Sequence, residues 1–230
     1  MDVDEPANAR ARREGRAIGA ARGLLGIFVI GVLARTYAGQ AAAGDPNPFD
    51  FFGYFTNQNS LLAAALLVVA ASFGLRGLRL PRWLVWARAI ATTNMIVVGV
   101  IYNTLVPGTG SAPPWASFVL HVAFPALLVL DWALARARPL PWRSLWLVLP
   151  HPVTWLLVVL IRGRTDGWVP YGFLLPERGA ASLLLHIVGL LAALIAAGAL
   201  VWLASRTGLA RGSASARGYA GPGTRTPERG

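Results

Sequence analysis

Six apolar stretches, each near the length of a bilayer crossing, alternate with short polar segments along this chain. They run at residues 17–38, 53–75, 83–106, 114–134, 144–161 and 180–204. About 20 apolar residues suffice to cross hydrocarbon as a helix. Backbone polar groups in lipid must be satisfied within the chain, so the pattern predicts an all-α fold, an integral membrane bundle of six transmembrane helices. Residues 1–16 mix acidic and basic side chains without apolar periodicity, and residues 206–230 are rich in Gly, Ser, Pro and Arg. Both read as disordered cytoplasmic tails flanking a membrane domain at 17–205. A signal peptide ending near Ala41-Ala42-Ala43 is the competing reading of the first stretch; the long, initially acidic leader argues against it. No internal repeat is evident.

Composition agrees with the pattern. Hydrophobic residues make up 55% and charged residues 13%, against about 25% charged in soluble domains. All 21 basic residues are Arg, which reads as coding bias. They sit in short flanks between apolar spans, so the net charge of +11 does not point to nucleic acid. With no Cys, disulfides, thiolate metal sites and cysteine nucleophiles are excluded, and no metal or cofactor is expected.

Arg placement orients the bundle. Arg10, Arg12, Arg13, Arg16 and Arg22 precede or begin the first span, Arg76, Arg79, Arg82 and Arg88 flank the second turn, and Arg136, Arg138 and Arg143 fill the fourth. The alternate loops are poorer in Arg, which puts both termini in the cytoplasm and the protein in the plasma membrane. Trp residues near the span ends fit an aromatic belt.

One polar run stands out: Tyr54-Phe55-Thr56-Asn57-Gln58-Asn59-Ser60 opens the second span. Thr56, Asn59, Ser60 and Ala63 follow i, i+3, i+4, i+7 and share a helix face, opposite Leu61, Leu62, Val68 and Val69. Asn57 and Gln58 are expected to cap at the interface. The topology brings Arg35, Tyr102, Asn103, His121 and His186 to a similar depth in the outer leaflet, and intramembrane polar residues usually face the bundle interior. His186, Gly189, Ala193 and Ala197 form a small-residue stripe of the kind found at helix contacts. Pro125, four residues after His121, removes the N–H that the His121 carbonyl would accept and predicts a kink. Arg35 also suits snorkelling to the headgroups. His151, between Pro150 and Pro152, reads as a structural residue in the cytoplasmic half of the fifth span. Asp131 is expected to pair with Arg136 or another cytoplasmic Arg.

A hydroxyl nucleophile needs a neighbouring base, and Thr56 with His121 supplies both types. Asn59, Arg35 or a backbone N–H would then serve the oxyanion of an ester. The order of motifs resembles a known family. The Tyr54–Leu62 run, then Leu120-His121-Val122-Ala123-Phe124-Pro125 with Asp131-Trp132, then Arg162-Gly163 and Val169-Pro170-Tyr171-Gly172-Phe173-Leu174 are similar to the androgen-induced and androgen-dependent TFPI-regulating membrane proteins and their bacterial six-span relatives. The resemblance implies a six-helix membrane fold and, from the animal members, a threonine hydrolase of fatty acid esters, with Thr56 and His121 as its catalytic pair. Asn59, Ser60, Arg35, Tyr102, Asn103 and His186 complete the expected pocket. The Asn59-Ser60 order departs from the Ser-Asn order of the bacterial relatives. The expected partners are membrane lipids or amphipathic esters, with a homo-oligomer left open. The alternative is a non-enzymatic lipid or small-molecule carrier or scaffold; a third reading takes His121 and His186 as haem ligands.

Overall fold

A computed structural model describes residues 5–108, 112–135 and 139–207. The chain forms α1 (Glu5–Ala42), the short α2 (Pro48–Phe51), α3 (Phe55–Leu75), α4 (Arg82–Leu105), α5 (Pro114–Phe118), α6 (Phe124–Leu134), α7 (Pro150–Thr165) and α8 (Ala180–Thr207). A π-helical turn, Val119–Ala123, joins α5 to α6, and a 3₁₀ segment, Trp142–Val148, leads into α7. Among the described residues there is no strand, and six helical spans are long and apolar enough to cross a membrane. They are Arg12–Ala42, Phe55–Leu75, Arg82–Leu105, Pro114–Leu134, Trp142–Thr165 and Ala180–Arg206, close to the stretches read from hydropathy. The first helix also takes in residues 5–16, which composition had marked as tail; residues 208–230 lie outside the described residues.

The closest helix pair is α1 with α3. Gly19, Gly23 and Gly26 make its seam: a Cβ on Gly26 would lie 2.6 Å from the Ala64 carbonyl oxygen, and one on Gly19 3.0 Å from the Leu75 nitrogen. Such small residues let two backbones touch where no hydrophobic force separates helix from lipid. The α4 helix lies centrally, against α3, α6 and α8, and buries Asn94, Thr92 and Thr93. By contrast α7 packs against the other helices through large side chains, with little close backbone approach.

Call the end of the bundle that carries Phe55 the upper end. At the lower end Asp131 accepts from Arg22 Nε at 2.8 Å and from Arg88 Nη2, tying α1, α4 and α6 together. Its expected alternative, Arg136, lies outside the described residues. The Arg88 side chain is 6% exposed and Asp131 18%, so the carboxylate is what makes the buried guanidinium tolerable. Breaking a buried pair from one side leaves the other charge uncompensated, at about 3–5 kcal/mol. Asp131→Asn is therefore expected to lower the unfolding midpoint of the detergent-solubilised protein by a margin equivalent to about 3 kcal/mol; an unchanged midpoint in a melting experiment would contradict the clamp.

Candidate functional site

The stripe on α3 is buried as its spacing requires: Thr56, Asn59, Ser60 and Ala63 are 7%, 0%, 0% and 1% exposed, while Leu61 and Leu62 face outward. Ser60 Oγ sits 3.9 Å from Met95 Sδ. The first N–H groups of a helix have no intrahelical partner. At the start of α3 they are not met by Asn57, whose Nδ2 instead donates to the Phe51 carbonyl at 2.8 Å. The Tyr171 phenol fills that place: it stands at the Thr56 hydroxyl and at the backbone N–H groups of Phe55 and Thr56. Those contacts favour the phenolate, but burial opposes it more strongly and pushes Tyr171 up to about 12. Tyr171 is thus a neutral donor and acceptor beside Thr56, not a base.

Thr56 and Tyr171 line a narrow cavity of about 70 Å³. Tyr102 supplies a third hydroxyl, and Phe55, Leu156, Leu190 and Leu194 are among its apolar walls, from α3, α7 and α8. The cavity reaches between α7 and α8, where few backbone contacts close the bundle.

His121 lies behind Tyr102, not on the cavity wall. The two rings stack with centroids 3.5 Å apart and planes 12° from parallel. His121 Nδ1 is 2.9 Å from the Ser117 carbonyl and 3.2 Å from Ser117 Oγ, which is 2.6 Å from Tyr102 Oη. Donation to the carbonyl leaves Nε2 as the free lone pair; acceptance from Ser117 Oγ would reverse the tautomer. Among the described residues no hydrogen bond joins Thr56 to an imidazole.

The expected kink is a π-turn. Pro125 cannot donate to the His121 carbonyl, and the Phe124 N–H bonds instead to Val119. Asn103 Nδ2 supplies the missing donor, reaching the His121 carbonyl at 3.3 Å while also donating to Gly99 at 2.7 Å. Gly99 permits the approach, since a Cβ there would lie 3.3 Å from the same carbonyl oxygen.

The remaining candidates separate. Arg35 is exposed, with its guanidinium lying along α1 toward Gly39, apart from this cluster. His186 bonds its own helix through Nδ1 to the Ser182 carbonyl, 2.7 Å away, and stacks on Phe173 at 5.6 Å. Gly189 is exposed and meets nothing, so the small-residue contact of α8 lies lower, where Gly198 packs on Leu145 and Val148.

His151, read from the sequence as a structural residue in the cytoplasmic half of the fifth span, lies against the polar run. Its ring is 5.7 Å from that of Phe55, and Nδ1 is 3.5 Å from Asn94 Nδ2. Asn94 also donates to Asn59 Oδ1 at 2.9 Å, and Asn59 to the Phe55 carbonyl at 2.8 Å. Ser117 was missed because it is a single polar residue inside an apolar span; Asn94 closes the run Thr92-Thr93-Asn94 within its span, a signal that could have found it. Among the described residues no group of His, Asp and Glu is arranged to hold a metal ion. The chain matches no family model, no curated protein and no solved structure.

Removing the acceptor of a buried amide costs about 1–3 kcal/mol, while replacing both partners by apolar groups is far milder. Asn59→Leu is expected to destabilise the protein by about 2 kcal/mol. Adding Asn94→Leu should recover part of that loss. Melting curves of the two single variants and the double check this; strict additivity would show the pair to be uncoupled.

Proposed function

We propose that this multi-pass membrane protein is a hydrolase of lipid esters, with Thr56 as nucleophile, His121 as base and both termini in the cytoplasm of a plasma-membrane protein. One observation carries the reading: the Thr56 hydroxyl stands on the wall of an apolar cavity, at a helix N-terminus whose Phe55 and Thr56 N–H groups are met by the Tyr171 phenol and not by the helix itself. An acyl chain entering from the lipid between α7 and α8 would bring its ester to that hydroxyl. Its carbonyl oxygen would take the position of the Tyr171 phenol, beside the N–H groups of Phe55 and Thr56 and the positive end of the α3 dipole. Those donors, with the neutral Tyr171 O–H displaced alongside, suit the charge that develops on the oxygen during attack.

The proton of Thr56 has to reach His121 past Tyr102. Either Tyr102 swings off the imidazole, or its hydroxyl passes the proton through Ser117 Oγ to Nδ1. The motif order that resembles threonine ester hydrolases supports the same pair. A second reading, lipid binding without turnover, is favoured by the lack, among the described residues, of a hydrogen bond from Thr56 to an imidazole.

Labelling of the solubilised protein with a fluorophosphonate probe separates the two. The wild type is expected to label and Thr56→Ala to lose the label. His121→Ala should label at least about 100-fold more slowly, the usual contribution of a general base. Equal labelling of wild type and Thr56→Ala, with unaltered lipid recovered after hours, would establish the binder instead.

A further inference from the structure

Residues 168–178 cross the upper end of the bundle from α7 to α8, and they carry two side chains that line the Thr56 cavity, Tyr171 and Phe173. Glycines of positive φ turn the chain at either end, Gly167 at 74° and Gly179 at 84°, a conformation that other residues rarely adopt. Between them lie two 3₁₀ turns, Gly172–Leu174 and Pro176–Arg178. Among the described residues, the backbone hydrogen bonds of this strap close on itself, on Gly179 or on Asp166. None ties it to a neighbouring helix. Segments without such ties open at the low end of a protein's range of local stability.

Side chains hold the strap down. Trp168 lies on Gly53, where a Cβ would come within 2.2 Å of its ring, and the Arg162 guanidinium covers it at 4.2 Å. Arg162 is fastened in turn to Asp50 Oδ1 at 2.7 Å, to Asp166 Oδ2 at 2.9 Å and to the Phe49 carbonyl at 3.4 Å. Asn47 Nδ2 and the Trp168 N–H donate to the second oxygens of the two carboxylates. Tyr54 packs edge-on against Trp168 at 5.8 Å and against Tyr171 at 5.9 Å. Further on, Phe173 stacks on Tyr171 at 5.4 Å and on His186 at 5.6 Å. One ring therefore separates the ionic clasp from the phenol that stands at Thr56.

The clasp itself is open to its surroundings. On the other side of Trp155 from the Thr56 cavity runs a groove of about 660 Å³, with Gln58, His151 and Thr154 on its wall and Arg162, Asp166 and Trp168 at its mouth. The Asp166 side chain is 48% exposed, and ion pairs that reach water are weak. The site beneath is shut for as long as the clasp holds, because the Tyr171 phenol occupies the place an ester carbonyl would need. Lids of this kind open and close on the timescale of turnover in many enzymes.

We propose that residues 168–178 are a gate over Thr56, held shut by the Arg162 clasp, and that release of the clasp lifts Tyr171 from the start of α3. This regulates the Thr56 site and rests on that reading for its purpose, but the motion is measured without turnover. The chain has no Cys, so Thr56→Cys places a single thiol at the gated position. In nanodiscs its alkylation by N-ethylmaleimide is expected to be slow. Arg162→Gln should speed it about ten-fold, as the loss of a charge-assisted contact would, and Trp168→Ala should act in the same direction. Arg164→Gln, at an exposed arginine two residues further along, should leave the rate unchanged. Ser60→Cys puts the thiol at a fully buried position one turn deeper in α3, and its alkylation should respond to neither change. Equal rates in the Arg162→Gln and Arg164→Gln backgrounds would overturn the proposal. So would equal acceleration at residues 56 and 60, which would mean a loosened bundle and no gate. A wild type that takes no fluorophosphonate label overturns the hydrolase alone and leaves these rates as they are.

Discussion

Every polar group sunk in the hydrocarbon region has to find its partner inside the bundle, and most of this architecture answers to that constraint. At Pro125 the debt is one backbone carbonyl. A π-turn shifts the ladder by one residue, Asn103 reaches across from α4, and Gly99 removes the side chain that would have kept the helices apart. At Arg88 it is a whole charge, answered by Asp131 with Arg22 as a third member. At the start of α3 the groups are N–H donors, and a loop tyrosine serves them from outside the helix. The solutions differ, but each ties together elements distant in sequence.

The bundle is consequently tight on one side and open on the other. Glycines bring α1 and α3 into backbone contact, and α4 fills the centre. On the opposite side α7 is spaced off by Trp155, Phe55 and His151, large rings meeting at 5.0 and 5.7 Å between centroids. Rings that size cannot close the gaps above and below themselves. The cavity at Thr56 and the groove at His151 lie on either side of that aromatic spacer.

The spans were legible because a crossing helix needs a long apolar run, and that signal survives without any tertiary information. The α3 stripe was legible for the same kind of reason, since period alone puts Thr56, Asn59 and Ser60 on one face. Depth estimates fared unevenly. Counting residues at a uniform rise located Tyr102 and Asn103 beside His121, yet gave no sign that His151 would meet Phe55 and Asn94, which depends on how α7 packs. Tyr171 was visible only as part of a loop motif; its role depends on where the loop folds back, a tertiary fact. The glycine seam of α1 went unread because its residues carry no chemistry, only the absence of side chains.

Trp155 joins the two open spaces into one structure. Its indole N–H donates to the Gly53 carbonyl at 2.8 Å, and Gly53 is itself covered by Trp168, which would meet a Cβ there at 2.2 Å. Trp168 in turn lies under Arg162, and so under the Asp50 and Asp166 clasp. The wall between cavity and groove is thus hung from the same loop that closes the mouth. Tyr54 packs edge-on against both Trp168 and Tyr171, so the residue standing at Thr56 belongs to this aromatic set as well. A displacement of the clasp would be carried by contact, ring to ring, from the surface to the Thr56 hydroxyl.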